Sequence, residues 1–161
     1  MGVHFGQAVR QALQGGLTAW EKPLYSRLAL VILLGQFSRN VFRGTAQAFD
    51  GDARARQLTL QTLAQQEDRQ LLWVGRVFIY KPLIHAEDLT QQNKCVTCFA
   101  QIMADAPAAL KPKLQGNVDF AVQHNDIITR LSRFPHRNAV PGRISTAEED
   151  NFLRTGPRFD Q

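Results

Sequence analysis

The seven residues Leu28 to Leu34, LALVILL, constrain this chain more than any other stretch. They are apolar on every side, so whatever element they form must be buried all round. The surrounding sequence repeats its apolar residues with a helical period, and no segment alternates with period two for long enough to make a half-buried strand. The chain therefore reads as all-α, with a helix from about Leu24 to Phe37 at its centre. At 161 residues there is length for a single domain with a substantial core. The run is too short to span a bilayer, which takes about 20 apolar residues.

Flanking helices follow from their start and stop signals. One is expected from about Val3 to Gln14, ended by Gly15-Gly16. Another starts at Asp50 or Asp52 and runs to about Gln66. A third is capped by Asp68 and stopped by Tyr80-Lys81-Pro82, and a fourth runs from about Ala86 to Met103. A long helix extends from about Ala108 to Leu131 with Pro112 in its first turn, where the missing N–H costs nothing. Ser145-Thr146-Ala147-Glu148-Glu149 offers a capping box, as Ser145 with Glu148 or Thr146 with Glu149, for a last short helix ending at Gly156-Pro157. Short connections between such helices predict an antiparallel helical array.

The net charge is +5, and of the 19 basic residues 14 are arginine. A planar guanidinium pairs bidentately with carboxylate or phosphate and tolerates partial burial, so the excess favours anionic partners. Without a stacking aromatic platform, nucleic acid is the weaker reading. No charged and then apolar segment opens the chain, and there are 2 cysteines, which together predict a reducing, cytoplasmic setting. No phosphate-binding loop, dinucleotide fingerprint, HExxH or GxSxG is present, so no cofactor is expected. Cys95-Val96-Thr97-Cys98 has metal-site spacing, but no second pair completes it, so no metal is expected either.

The candidate chemistry lies in two polar corners. Gln36-Phe37-Ser38-Arg39-Asn40-Val41-Phe42-Arg43-Gly44 and Arg133-Phe134-Pro135-His136-Arg137-Asn138-Ala139-Val140-Pro141-Gly142-Arg143 each place Arg-Asn beside a Phe anchor and a glycine. Arg39, Asn40, Arg43, Arg133, Arg137, Asn138 and Arg143 are the ligand-binding candidates, and corners that face each other would make an anion site. The same arginines also suit capping of helix C-terminal carbonyls. His85, Glu87, His124 and His136 are the candidate proton-handling groups. His85 and Glu87 equally suit a helix start, and His124 lies on an apolar helix face where a satisfied core histidine is common.

The blocks LALVILLGQFSRNVFRGTAQAF, YKPLIHAEDLTQQ and FAVQHNDIITRLSRFPHRNAVPGRISTAEEDNFL resemble, in the same order, the bacterial family called domain of unknown function 924. The resemblance implies a tetratricopeptide-like helical fold for a single domain over residues 1–161, and no established reaction. It marks as family signature Gln36, Arg39, Asn40, Arg43, Gly44, His85, Glu87, His124, Arg133, His136, Arg137, Asn138, Gly142 and Arg143. Gly35 stands where the family pattern has Asp, Ala86 replaces Ser, and the start implies a shortened N-terminus. Two functional readings follow: a pocket for an anionic small molecule, or an interaction scaffold gripping an acidic peptide or partner protein.

Overall fold

The computed structural model describes residues 2–139 and 142–156, so Val140-Pro141 of the second corner and Pro157 at the expected last stop lie outside the described residues. The chain is all-α, and no strand occurs among the described residues. Helix α1 is Gly2–Leu13, and Gly15, at φ 83, turns the chain as the glycine pair suggested. Helix α2, Leu24–Ile32, runs without a break through a π-helical turn, Leu33–Phe37, into α3, Ser38–Val41. The expected central helix is therefore one turn longer, because the wider turn carries it through the polar residues. The Leu33 carbonyl accepts from the Ser38 backbone N–H, as the π turn requires, and also from the Ser38 hydroxyl at 3.1 Å. One extra residue in the turn rotates everything after it by about 100°. Arg39 and Asn40 thus sit on helix, where an exit loop was expected.

Helix α4, Asp52–Ala64, follows a 3-10 turn at Ala46–Phe49. Gly51 precedes it in close contact with the π turn, and any side chain there would run into the Leu34 carbonyl. Asp52 is the first helical residue and not the cap, which frees its carboxylate for tertiary pairing. Helix α5, Trp73–Ile84, contains Pro82, where the sequence had predicted a stop. Placed in the last turn, the proline forfeits only one helical bond, and Leu83 and Ile84 are buried enough to hold the turn. Asp68, expected as a cap, instead accepts from the Tyr80 hydroxyl at 2.6 Å inside the core. Helices α6, Leu89–Asp105, and α7, Lys111–Leu131, complete a run in which α6 packs chiefly on α5 and α7. Helix α8, Ala147–Thr155, opens with the capping box in its Thr146 and Glu149 form.

The main core joins Leu30 and Val31 of α2 and Leu34 of the π turn to Leu58, Ile79, Leu83, Phe99, Ile102 and Leu114. A smaller cluster of Ile127, Ile128, Phe134 and Phe152 ties the end of α7 to α8. Among the described residues no helix is long and apolar enough to cross a membrane.

Candidate functional site

A cavity of about 630 Å³ opens where the start of α4, the end of α5 and the start of α6 meet the second corner. Arg56, Arg137 and Arg143 contribute the cationic part of its wall, and Asp52, Glu87 and Asp88 the acidic part. Phe49 and Ala46 are the apolar residues among the ten that line it. His85, the C-cap of α5 and not the start of α6, completes it on the inner side.

Arg137 is the most constrained of these groups. Its side chain is 8% exposed, with the guanidinium 5.0 Å from the Phe49 ring centre and 4.7 Å from that of Phe134. Two aromatic faces hold it as a cation–π sandwich. It donates to the His85 carbonyl at 3.1 Å and approaches the Asp52 carboxylate at 3.8 Å. Burial, aided by the neighbouring Arg39, lowers its pKa to about 10, so it remains charged at neutral pH while poorly solvated. A cation held in that state gains from any anion placed against it.

The two corners do meet. Arg39 pairs bidentately with Asp52, both bonds at 2.9 Å, and its guanidinium lies 5.4 Å from the centre of the same Phe49 ring. Asp52 and Phe49 thereby connect Arg39 to Arg137. A smaller void of about 60 Å³ lies between Arg39, Arg43, His136 and Arg137. Asn40 is exposed and forms no part of either cavity wall.

Arg143 grips Glu87 through two bonds of 2.8 and 2.7 Å, and Glu87 also accepts from the Phe134 backbone N–H at 2.8 Å. Burial pushes the Glu87 carboxyl upward, but those three donors outweigh it and hold its pKa below the ordinary value. Glu87 is therefore an ionised tether between the α5–α6 connection and the second corner. Arg133 and Asn138, grouped with the ligand-binding candidates on sequence, point elsewhere. Arg133 donates to Glu149 at 2.5 and 2.8 Å and to the Ile144 carbonyl, and Asn138 reaches Glu149 at 3.3 Å. Neither lines the large cavity.

Three histidines cluster at and near this wall, with His85 lining it. His85 and His124 lie 6.3 Å apart, and the Phe134 ring lies 5.4 Å from His124 and 5.4 Å from His136. Burial, with Arg39 and Arg137 nearby, drives the His85 pKa well below its ordinary value, so it is neutral at pH 7. Arg137 Nη2 lies 3.5 Å from His85 Nδ1, and because a guanidinium only donates, this favours Nδ1 as the acceptor and leaves the proton on Nε2. His124 is fully buried, contacts the Phe120 carbonyl through Nδ1 at 2.8 Å, and is lowered by burial to about 4. Cys95 and Cys98 are free thiols on α6, and burial pushes Cys98 up to about 11, which keeps it protonated. No group of three or more metal-ligating side chains occurs among the described residues.

Residues 1–157 match the family of bacterial proteins of unknown function DUF924. The chain belongs to that family. It is similar to a solved structure of a protein of unknown function from Agrobacterium tumefaciens, with 34% identity over 94% of this chain and 80% of that one, and a TM-score of 0.80. No functionally curated protein matches this DUF924 chain. Two site residues carried no signal in the family resemblance or in the corners, Asp52 and Arg56, and Phe49 closes the first resembling block without having been singled out. Asp52 looked like a helix cap, and only the four-residue spacing from Asp52 to Arg56, which puts both on one face of α4, hinted that they act together.

Proposed function

We propose that this DUF924 protein binds a small molecule bearing a phosphate or carboxylate in the 630 Å³ cavity, with Arg137 as the anchoring cation. The observation that carries the reading is the position of Arg137: a buried guanidinium, fixed between two aromatic rings, in the wall of a cavity of ligand size. Arg56, which lines the same wall, adds a second donor, and Arg143 adds a third if Glu87 shares it. His85, neutral and in contact with Arg137, is placed to donate or accept a proton at the bound anion's neighbour. The two free thiols support a reducing, cytoplasmic setting as part of the same proposal.

The scaffold reading has one observation of its own. Leu72 and Val74, at the start of α5, are 70% and 62% exposed, and Tyr25 reaches the same edge through the Gln70 carbonyl. A tetratricopeptide-like array gripping an acidic partner would use such a surface together with the arginines.

A thermal melt with inorganic phosphate, sulfate and dicarboxylates, against chloride at matched ionic strength, separates the two. A ligand that binds only the folded chain raises stability by about 2.7 kcal/mol at a hundredfold excess over Kd. One anion class shifting the melt supports the pocket. Acidic peptides binding where no small anion does would overturn it in favour of the scaffold.

A further inference from the structure

The charges of the cavity wall are unevenly matched, and the mismatch has a direction. Arg143 and Glu87 neutralise each other through two bonds. Asp52 is held by Arg39 through two more, and Arg137 reaches the same carboxylate only at 3.8 Å. The hydrogen bond from Arg137 to the His85 carbonyl fixes the guanidinium in place without cancelling its charge, because the carbonyl is neutral. Arg39, Asp52 and Arg137 together thus leave a positive excess where α4 meets the second corner. Arg56, one turn along α4 from Asp52, adds to it. It lines the cavity and has no hydrogen bond or ion pair to any described residue.

The opposite sign stands at the start of α6. Asp88 lines the same cavity, is exposed, and accepts from the Gln91 N–H through Oδ1 at 2.9 Å. It forms no ion pair with any described residue, and its second oxygen is reachable because the side chain is exposed. Arg56 and Asp88 therefore border one polar space, carry opposite charges and do not pair with each other. A molecule charged at one end only would satisfy Arg56 and meet repulsion, or no partner, at Asp88. A cavity of about 630 Å³ has room for a molecule charged at both ends.

We infer that the ligand carries an ammonium group as well as its anionic group: it is a small amine-bearing anion, an amino acid or an aminoalkyl phosphate, with its anionic end at Arg56 beside Arg137 and its ammonium at Asp88. This rests on the anion-pocket reading above and names its substrate class. Asp88 is then the residue that tells the amine-bearing anion from its amine-free counterpart.

Calorimetric titration of the full chain at pH 7 tests it with matched pairs: 2-aminoethyl phosphate against ethyl phosphate, and glutamate against glutarate. The first pair shares a phosphomonoester and the second two carboxylates, so the pair that binds also identifies the anionic end. The amine-bearing member binds at least about tenfold tighter than its counterpart. Asp88→Asn is the informative variant, because asparagine caps a helix as well as aspartate does and removes only the charge. It narrows the gap to about threefold without weakening the amine-free member, whereas Arg56→Gln weakens both members alike. Equal binding of the two members by the wild-type chain overturns the inference while the anion pocket stands. An Asp88→Asn chain that melts like wild type and keeps the full gap also overturns it. If neither pair binds, the pocket reading falls with it.

Discussion

Arg133 and Arg137 stand four residues apart in one corner and do opposite things. Arg133 is about one third exposed and closes a clasp on Glu149, which also takes Asn138 and the Thr146 N–H, so every partner is internal. Arg137 is buried between Phe49 and Phe134 and faces a cavity. The chain separates them by leaving α7 at Ser132, in the left-handed region at φ 62, and entering a 3-10 turn at Pro135–Arg137. That short turn faces the second arginine inward. One guanidinium holds a helix, whereas the other holds the His85 carbonyl and lines a cavity.

The strongest way to sharpen this contrast is to remove the carboxylate at the centre of the clasp. Glu149→Ala takes the shared acceptor from Arg133 and Asn138, leaving them the Ile144 carbonyl and the Ser145 hydroxyl, and should cost about 3 kcal/mol in a denaturant melt, with anion affinity unchanged. Arg137→Met should do the reverse. Methionine keeps an unbranched stem between the two rings and removes a buried charge, so stability should stay within about 1 kcal/mol of wild type. Arg137→Ala, which opens a void, should cost about 2 to 3 kcal/mol. A chain in which Arg137→Met unfolds as readily as Glu149→Ala would erase the distinction.

Acid separates the two regions by pH window. His124 and His85 have folded pKa values below that of the free side chain, so the unfolded chain binds their protons first. Stability on the cavity side is therefore lost as pH falls from 6.5 towards about 4. Glu149 is held down to about 2, chiefly by its hydrogen bonds from Arg133, so the clasp's share is lost between pH 4.5 and about 2. Each group contributes a slope of at most about 1.4 kcal/mol per pH unit. Stability measured against pH should show both steps, and Glu149→Gln should shrink the lower one to the share that Glu87, also held below its ordinary value, contributes. The smallest effect is expected from Thr146→Ala, which removes one half of the capping box and should cost about 1 kcal/mol, measured by the same melt.

Much of the clasp was legible in the sequence, because a capping box is a local pattern and Thr146 with Glu149 announces it. The long helix with Pro112 in its first turn was legible for the same reason. Pro82 misled, since a proline ends a helix only where the remaining turn lacks burial to hold it. The π turn left no trace in propensity, and so the helix was expected to end at Phe37 and Arg39 to lie beyond it. That Arg39 and Arg137 converge could be suggested from the two corners. That Asp52 and Phe49 lie between them depends on Gly51 letting α4 approach the Leu34 backbone, a tertiary contact with no periodic signature. For the same reason the sequence grouped Arg133 with Arg137: identical side chains in one hexapeptide look alike until the turn between them is known.

The most direct test is a calorimetric titration of the wild-type chain, Arg137→Met, Arg56→Gln and Thr146→Ala with one phosphate-bearing ligand at fixed ionic strength. The pocket account predicts saturable binding to wild type and to Thr146→Ala with the same Kd. It predicts a loss of about thirtyfold in Arg137→Met, the share of one charge-assisted hydrogen-bonding group, and a smaller loss in Arg56→Gln. Equal affinity in all four chains would place the anion somewhere other than this cavity and contradict the account.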